Sequence, residues 1–483
     1  MPMHRRRFIS LAAASAAGLL AGCGRGRQPT NSAAAPKFDP VLADLQRRAF
    51  NYFWQTTHPI TGLAPDSYPS APFSSIAATG FALTAHAIGV QNGWVTRAAA
   101  AERVRTTLQF LLEAPQGASS RGIAGYQGFF YHFLDMQSGL RDGDSELSTV
   151  DTALLLGGAL FCAEYFDAPA LAEVAIRGLA SKLYQRVNWR WAQPREHAIC
   201  MDWRPETGFS QYDWVGYNEA MIVYLLALGS PTFPVAATAW NAWTSGYPQS
   251  WGTVQGITHL SFGPLFGHQY TQIWTDLRGV QDAFMRAHGS DYFRNSRLAV
   301  IAQHRYAVAN PRRWRGYGAN LWGLSACDGP GHAKIRYRGT TRQINGYAAR
   351  GVWLQMQRDD DDGTITPTAA LGSVPFVPEL VIPAATAMVK DHGRVICGAY
   401  GFLDSFNLSV PPNTRIRQGR YVNGWGWVDT DYLGIDQGPI IAMIENYRSG
   451  LIWRTMRKNA ALKRGMQLAG FTGGWLGRNP VAA

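Results

Sequence analysis

Apolar side chains recur at helical spacing through most of the chain. In the first such segment, residues 40–57, Leu42, Leu45, Phe50 and Phe53 share one face, which is typical of an amphipathic helix. The same pattern predicts further helices over roughly 73–92, 97–113, 148–166, 169–187, 216–228, 233–245, 266–275, 280–309, 374–391 and 436–459, the last of which we expect to divide at Gly450.

The linkers between these helices alternate between tight and long. Tight linkers include 167–169 and 229–231, and strand-like patterns are few, around 129–134 and 395–403. Function tends to lie on loops that a rigid scaffold holds. We therefore predict an all-α fold, an (α/α)6 toroid of about six helical hairpins whose long loops form an active-site cleft on one face. The long linkers are 115–147, 188–215, 247–265, 310–373 and 392–435.

The N-terminus has the composition of an export signal. Residues 1–22 combine a basic start with a short apolar run and small residues, and Arg5, Arg6 and Arg7 resemble a twin-arginine motif. An ordinary membrane anchor is the alternative, but the apolar run is too short for one.

Leu20 to Cys23 resemble a lipobox, in which Cys23 becomes the lipidated residue. Residues 23–39 are predicted to be a flexible tether, and residues 40–483 a single catalytic domain. We expect a periplasmic protein that is lipid-anchored at Cys23 after twin-arginine export.

The net charge of +12 would suit nucleic acid, but Arg5, Arg6 and Arg7 contribute three of these charges and the rest are scattered. We therefore expect no nucleic-acid partner, no cofactor, and a monomer that meets the membrane only through its lipid. Cys162 is predicted to lie in the core, and one disulfide among Cys200, Cys327 and Cys397 stays open.

Carboxylates collect where apolar helices begin. Asp151 falls in the first turn of the apolar segment 148–166, and Glu219 falls at the start of another, between Trp214 and Tyr217. Charges beside buried helices are costly unless they are paired or used, although a first-turn Glu is also favoured by the helix dipole. The loop before Asp151 adds Asp135, Arg141, Asp142, Asp144 and Glu146.

Three further positions attract attention. Asp404 stands alone between aromatic residues, Asp436 is a candidate N-cap, and Asp66 lies in the first long loop. Asp404 could equally be a turn residue that caps a short helix. The run of four aspartates before Gly363 lacks the alternating ligands of a calcium loop, so we interpret it as a solvated turn and predict no metal site.

Carboxylates among aromatic rings, in an exported helical barrel, are the components of glycoside hydrolysis. One protonated acid donates to the leaving oxygen, and a second carboxylate activates water or attacks directly. A glutamate among rings would have a raised pKa, which suits the acid. The predicted substrate-binding residues are Asp66, Asp135, Arg141, Glu146, Trp214, Tyr217, Trp425, Trp427 and Asp436.

Four segments resemble the glucoamylase-like family, which includes the endo-β-1,2-glucanases of glycoside hydrolase family 144. They are SELSTVDTALLLGGAL, WVGYNEAMIVYLLALGSPTFP, YGFLDSFN and GIDQGPIIAMIENYRSGLIW, within a resemblance that spans roughly residues 40–470. The resemblance implies an (α/α)6 barrel and hydrolysis of β-1,2-glucan, with inversion, to short sophoro-oligosaccharides.

Carried onto this chain, the resemblance makes Glu219 the candidate general acid. Asp404 is our candidate for directing the attacking water, and Asp151 for holding the sugar or relaying a proton. Two alternatives remain at this point: a transglycosylase or hydrolase that acts on another β-glucan, and a non-catalytic glycan-binding lipoprotein.

Overall fold

The computed structural model describes residues 38–356 and 360–477. Seven helices in this range are buried along most of their length, as their apolar sequences require: α2, α4, α6, α9, α12 and α15, which follow long loops, and the short α16. The helices are α1 (Pro40–Thr56), α2 (Ile76–Gln91), α3 (Arg97–Glu113), α4 (Thr149–Tyr165), α5 (Leu171–Gln185), α6 (Met221–Gly229), α7 (Thr238–Thr244), α8 (Tyr247–Ser250), α9 (Phe266–Trp274), α10 (Ala283–Ala287), α11 (Tyr292–Ala309), α12 (Pro367–Leu371), α13 (Pro378–Ala387), α14 (Gly393–Ile396), α15 (Gly434–Arg448), α16 (Leu451–Met456) and α17 (Ala460–Leu468).

The buried helices pack beside one another, and more exposed helices cover them. α2 contacts α4 on one side and α15 on the other, while α1 lies against α2 and α15. Glycine makes the closest crossing possible: a Cβ atom on Gly80 of α2 would lie 2.5 Å from the Leu154 carbonyl oxygen of α4. This is the layered helical packing that the alternating linkers predict.

The long loops contain short strands, which pair into small sheets of two to five strands. The ribbons predicted around 129–134 and 395–403 are present, but there are many more, so the description all-α holds for the scaffold and not for the loops. The strands are β1 (Ser67–Tyr68), β2 (Phe73–Ser75), β3 (Gly125–Tyr126), β4 (Phe129–Tyr131), β5 (Phe133–Asp135), β6 (Leu147–Ser148), β7 (Asp202–Arg204), β8 (Gly208–Phe209), β9 (Trp251–Val254), β10 (Ile257–Leu260), β11 (Ala326–Cys327), β12 (Ala333–Tyr337), β13 (Thr340–Ile344), β14 (Ala348–Ala349), β15 (Cys397–Gly398), β16 (Gly401–Phe402), β17 (Phe406–Asn407), β18 (Arg420–Val422), β19 (Gly426–Val428) and β20 (Tyr432–Leu433).

Several helix boundaries differ from those predicted. The segment 280–309 is two helices, because Asp291 caps a new start at Tyr292. The segment 216–228 becomes helical only at Met221, so Glu219 precedes α6 and does not lie in its first turn. The predicted division at Gly450 is confirmed, since this glycine has a φ of 66° between α15 and α16.

The aspartate run before Gly363 is not a solvated turn, so that interpretation was wrong for its described part. Asp362 is fully buried and forms a paired contact with the equally buried Arg350, with Nε to Oδ1 at 2.7 Å. Asp361 accepts hydrogen bonds from Tyr306, Trp314 and Tyr317. These contacts anchor the loop that carries β11 to β14.

The four cysteines of the described range carry no disulfide, and Cys162 is buried in the core as predicted. Within the same range, no helix is both long enough and apolar enough to cross a lipid bilayer. Cys23, the leader and most of the tether lie outside the described residues.

Candidate active site

Long loops precede the buried helices, so the starts of these helices carry the candidate carboxylates. Asp151 lies in the first turn of α4 behind its cap Ser148, and Asp436 lies in the first turn of α15. Glu219 comes just before α6. The prediction that Asp436 is the N-cap of its helix is wrong, because Leu433 occupies that position.

Glu219 has a buried carboxyl oxygen, Oε2, with no hydrogen-bond partner among the described residues. Burial raises the pKa of Glu219 to about 7, and the charge of nearby Asp151 adds to the rise. Its backbone carbonyl accepts a hydrogen bond from Thr271 of α9, which fixes the residue in place. A carboxylic acid that keeps its proton near neutral pH can act as a proton donor.

Asp151 belongs to a chain of alternating charges. His132 Nε2 lies 3.7 Å from Asp151 Oδ2, and His132 Nδ1 lies 2.8 Å from Glu146 Oε1. Arg204 pairs with the other oxygen of Glu146 at 3.2 Å. Ser148 Oγ donates a further short hydrogen bond to Asp151. The carboxylates on this side of the site are thus compensated by cations.

His132 is the cation at the centre of that chain. Although burial would lower the pKa of His132, the charges of Asp151 and Glu146 raise it to about 9. Burial would raise the pKa of Glu146, but the hydrogen bond with His132 and the charge of His132 lower it to about 2. His132 is therefore an imidazolium at neutral pH, a role that its isolated position in the sequence did not indicate.

Asp66 connects this chain to the opposite side of the site. Burial raises the pKa of Asp66 to about 6, and the charge of His132 opposes the rise. The charges of Asp328 and Asp151 also act on it, so it lies between the two groups of carboxylates. Asp66, predicted from the first long loop, is therefore brought to the site.

Asp404 and Asp436 are buried carboxyl groups close enough to shift each other's pKa, and Asp404 Oδ1 and Asp436 Oδ2 have no other hydrogen-bond partner among the described residues. Two buried carboxylates so close to each other repel, so the pair favours holding one proton. Burial and then the charge of Asp436 raise the pKa of Asp404 well above its ordinary value. Burial raises the pKa of Asp436 to about 7.

Two more aspartates adjoin this pair. The backbone N–H of Asp328 donates to Asp404 Oδ2 at 2.7 Å, and burial raises the pKa of Asp429 to about 6. Oxygen atoms of Asp328, Asp404 and Asp429 lie within 4.8 Å of one another, so they are the described residues that could hold a hard cation. Asp328, which carries no motif around it, was missed from the sequence.

Tyr270 of α9 links the two sides. Burial raises the pKa of Tyr270 well above the ordinary value, and the charges of Asp436, Glu219 and Asp151 add to the rise, so all three carboxyls lie in its neighbourhood. Its hydroxyl donates to the Ile435 carbonyl oxygen at 3.1 Å. Tyr270 lies inside an apolar helical pattern, where a phenol resembles any core residue, so its place in the site could not be predicted from the sequence.

Three aromatic residues that were predicted to bind substrate are largely buried. Trp427 is 0% exposed, and Trp214 and Tyr217 are 8% and 5% exposed. Trp214 donates its indole N–H to Thr149, and Trp427 donates to the Gln418 carbonyl. These rings shape the loops that carry the acids. Tyr217 also lines a cavity together with Asn218, and the substrate-binding role of the three rings stays a prediction.

Asp135 and Arg141 are engaged within their own loops. Asp135 Oδ1 accepts from the Ser138 N–H and hydroxyl at 2.7 Å each, and Arg141 forms two hydrogen bonds with Glu206. The structure brings Glu146 to the site but shows no contact of Asp135 or Arg141 with the acids. Trp425 lines a separate cavity.

Known proteins resemble this chain over almost all of its length. The Glycoamylase family, described as "Putative glucoamylase", matches residues 211–460. A solved structure of a putative glucoamylase from Bacteroides uniformis ATCC 8492 is 30% identical with a TM-score of 0.77, covering 90% of this chain and 98% of that one.

Two relatives have more specific descriptions. The endo-β-1,2-glucanase from Chitinophaga pinensis, solved with sophorotriose and glucose, is 26% identical with a TM-score of 0.76, over 90% of this chain and 99% of that one. An exo β-1,2-glucooligosaccharide sophorohydrolase (non-reducing end) from Parabacteroides distasonis is 27% identical over 91% of this chain. The chain spans only 59% of the length of that relative. By these matches, the chain belongs to the glucoamylase-like family.

Proposed function

We propose that this protein is a glycoside hydrolase that cleaves β-1,2-glucan to short sophoro-oligosaccharides. One observation carries the proposal: Glu219, whose Oε2 is buried without a hydrogen-bond partner, shares a site with Asp151 and with the Asp404–Asp436 pair. The identity of the glucan rests on the relatives from Chitinophaga pinensis and Parabacteroides distasonis, which are named for their action on β-1,2-glucan or its oligosaccharides.

Glu219 is the proposed general acid. Its pKa of about 7 leaves it largely protonated in mildly acidic to neutral solution, so it can protonate the glycosidic oxygen as the bond breaks. Because Oε2 makes no hydrogen bond to another described residue, no such bond has to break before the acid donates its proton. Once it has donated, the carboxylate is re-protonated from solvent before the next turnover.

Asp404 is proposed to direct the attacking water and, with Asp436, to take its proton. The two carboxyls titrate as one unit, and with one shared proton they carry one negative charge. Asp151 is proposed to hold a sugar hydroxyl, fixed by His132 and Ser148. Attack by water opposite the leaving group would invert the anomeric centre.

The architecture supports a cleft at the loop end of the buried helices. We propose that α2, α4, α6, α9, α12 and α15 are the inner helices of an (α/α)6 barrel, each preceded by a long loop that builds the site. We also propose export by the twin-arginine route and lipidation at Cys23, which the leader sequence supports.

Release of reducing ends from purified glucans tests the activity. We expect release from linear β-1,2-glucan and much less from β-1,3-, β-1,4- and α-1,4-glucans at equal mass concentration. Binding of β-1,2-glucan without any release would contradict the enzyme and favour a glycan-binding lipoprotein. Release from another glucan alone would contradict the proposed linkage.

Proton NMR during the first minutes of the reaction tests the stereochemistry. An initial α-anomer at the new reducing end is expected, because a single displacement by water inverts the β-linkage. An initial β-anomer would mean retention, a covalent intermediate and a transglycosylase-like course, and it would overturn the role given to Asp404.

A further inference from the structure

A cavity of about 390 Å³ has none of the candidate acids in its lining. Ligand pockets in proteins run from roughly 300 to 1,000 Å³, so its volume suits a small molecule or part of a chain. It is bounded by the loop before α12, the end of α13 and the loop before β19. Its lining includes Arg315, Asn320, Asp391, His392, Leu408 and Trp425.

Trp425 is held in a fixed orientation at this cavity. Its indole Nε1 donates to His392 Nδ1 at 3.2 Å, and its ring lies 5.7 Å from the ring of buried Phe406. Unlike Trp427 two residues later, Trp425 keeps part of its ring exposed. An indole whose N–H is already bonded on one side presents an apolar surface to whatever enters the cavity.

The other side of the cavity is built by a local departure from α-helix. Residues Met388–His392 form a π-helical turn at the end of α13, and this turn delivers Asp391 and His392 to the lining. Such turns are rare and recur at functional sites, since they re-aim side chains at the cost of regular hydrogen bonding.

The charges of the lining balance. The Arg315 guanidinium donates to the Gly424 carbonyl oxygen, and the Arg315 backbone N–H donates to Ser409 Oγ. Asp391 contributes the negative charge that balances the positive charge of Arg315 in the lining. Because His392 Nδ1 accepts from Trp425, the imidazole carries its proton on Nε2 and is neutral. A neutral cavity with a ring, an amide, a guanidinium and a carboxylate suits an uncharged, hydroxylated ligand better than an anion.

We propose that this cavity is a second saccharide-binding site, where one or two glucosyl residues of a glucan chain stack on Trp425 and bond to Arg315, Asn320 and Asp391. The choice of β-1,2-glucan as the chain rests on the proposed function. The site would hold a long chain while the carboxylates act elsewhere on it, so it would favour long glucans over short ones.

Calorimetry on the full chain tests this length dependence. In a Glu219→Gln background, which blocks turnover, Trp425→Ala should weaken binding of a long linear β-1,2-glucan about tenfold, because it removes the stacking surface. Sophorotriose, which has only three glucosyl residues, should lose much less if it binds mainly at the carboxylates. Trp475→Ala is the matched control, since Trp475 is also half-buried with its indole N–H bonded, to the Asp276 carbonyl. Equal losses for long and short ligands, or equal losses in the control, would overturn the site.

Indole ¹⁵N–¹H spectra of the full chain separate this proposal from the proposed function. The Trp425 signal, assigned by its absence in Trp425→Ala, should move on addition of β-1,2-glucan. Suppose that the wild type hydrolyses no β-1,2-glucan, but β-1,2-glucan or cello- or malto-oligosaccharides shift the Trp425 signal. The saccharide site then stands and the proposed function fails. If hydrolysis occurs and the signal does not move with any of them, the site is overturned and the function stands.

Discussion

Asp151 and Asp404 are buried aspartates of one site, but their neighbours differ in kind. Asp151 faces His132, whose pKa is raised to about 9 and which therefore carries a positive charge. Asp404 faces Asp436 and Asp429, and these charges with burial raise its pKa. The side of the site around Asp151 thus stabilises carboxylate anions, whereas the side around Asp404 favours protonated carboxyl groups.

The difference shows that residue type does not decide the chemistry of a carboxyl group here. A neighbouring cation favours the carboxylate, whereas a neighbouring carboxyl favours the acid. Glu219 represents a third solution, in which burial without a partner is the main cause of a pKa of about 7. A site with all three can supply a fixed anion, a shared proton and a donor acid.

The largest effect is expected from Glu219→Gln, which keeps the shape of the side chain but cannot donate the proton. We expect kcat on β-1,2-glucan to fall about a thousandfold with little change in the Kd for glucan. Glu379→Gln is the control, since Glu379 is half exposed and pairs with Arg297 on the surface. Activity like that of the wild type would remove Glu219 from the acid role.

The wild-type pH profile sharpens the same assignment. An acid must be protonated to work, so kcat/KM should fall as the pH rises through about 7, the pKa of Glu219. A basic limb that begins only near pH 9 would instead point to His132 as the group whose proton matters.

The next effect is expected from Asp404→Asn, which leaves the proton-storing side without its water-directing carboxylate. We expect kcat to fall about a hundredfold with KM changed less than threefold. Asp167→Asn, at a side chain that is 69% exposed, controls for the loss of an aspartate as such. A change confined to KM would make Asp404 a binding residue and leave the base to be found elsewhere.

His132→Gln removes the cation that lies between Asp151 and Glu146. With Asp151 and Glu146 less well compensated, we expect kcat/KM to fall about tenfold. His304→Gln, whose ring donates to the Ala319 carbonyl, is the control.

Stability gives a second readout for His132. A histidine with a pKa raised from 6.5 to about 9 stabilises the fold fully below pH 6.5, and this contribution is lost as the pH rises through 9. The variant should therefore be less stable than the wild type at pH 6 and equal to it near pH 10. An equal gap at both pH values would show that packing and not charge makes the difference.

The scaffold and much of the site could be predicted from the sequence, because both depend on local pattern. The apolar run after Asp151 requires a buried helix, and a hydroxyl three residues before it predicts the cap that Ser148 forms. Glu219, Asp404 and Asp436 stand out because each interrupts an apolar or aromatic stretch.

The partners of those residues could not be predicted, because they come from distant segments. His132 contacts Asp151 across a β-ribbon, and Asp328 meets Asp404 from a loop 76 residues earlier. The burial of Trp214, Tyr217 and Trp427 could not be predicted, because an aromatic residue that fills a loop core and one that faces a sugar have the same local sequence. Exposure depends on which strand covers the ring.

The smallest effect is expected from Asp436→Asn, and it is a gain in stability. A carboxyl whose pKa rises from 3.8 to about 7 stabilises the fold below pH 3.8 and loses that contribution as the pH rises through 7. The amide carries no charge and can donate to Asp404, so Tm at pH 8 should rise by about 2 °C. Near pH 4 the two proteins should melt together. Asp44→Asn, at an exposed side chain paired with Arg48, should change Tm little at either pH. A lower Tm at pH 8 in Asp436→Asn would mean that the two carboxyls share no proton in the folded protein, and the contrast between the two sides of the site would fail.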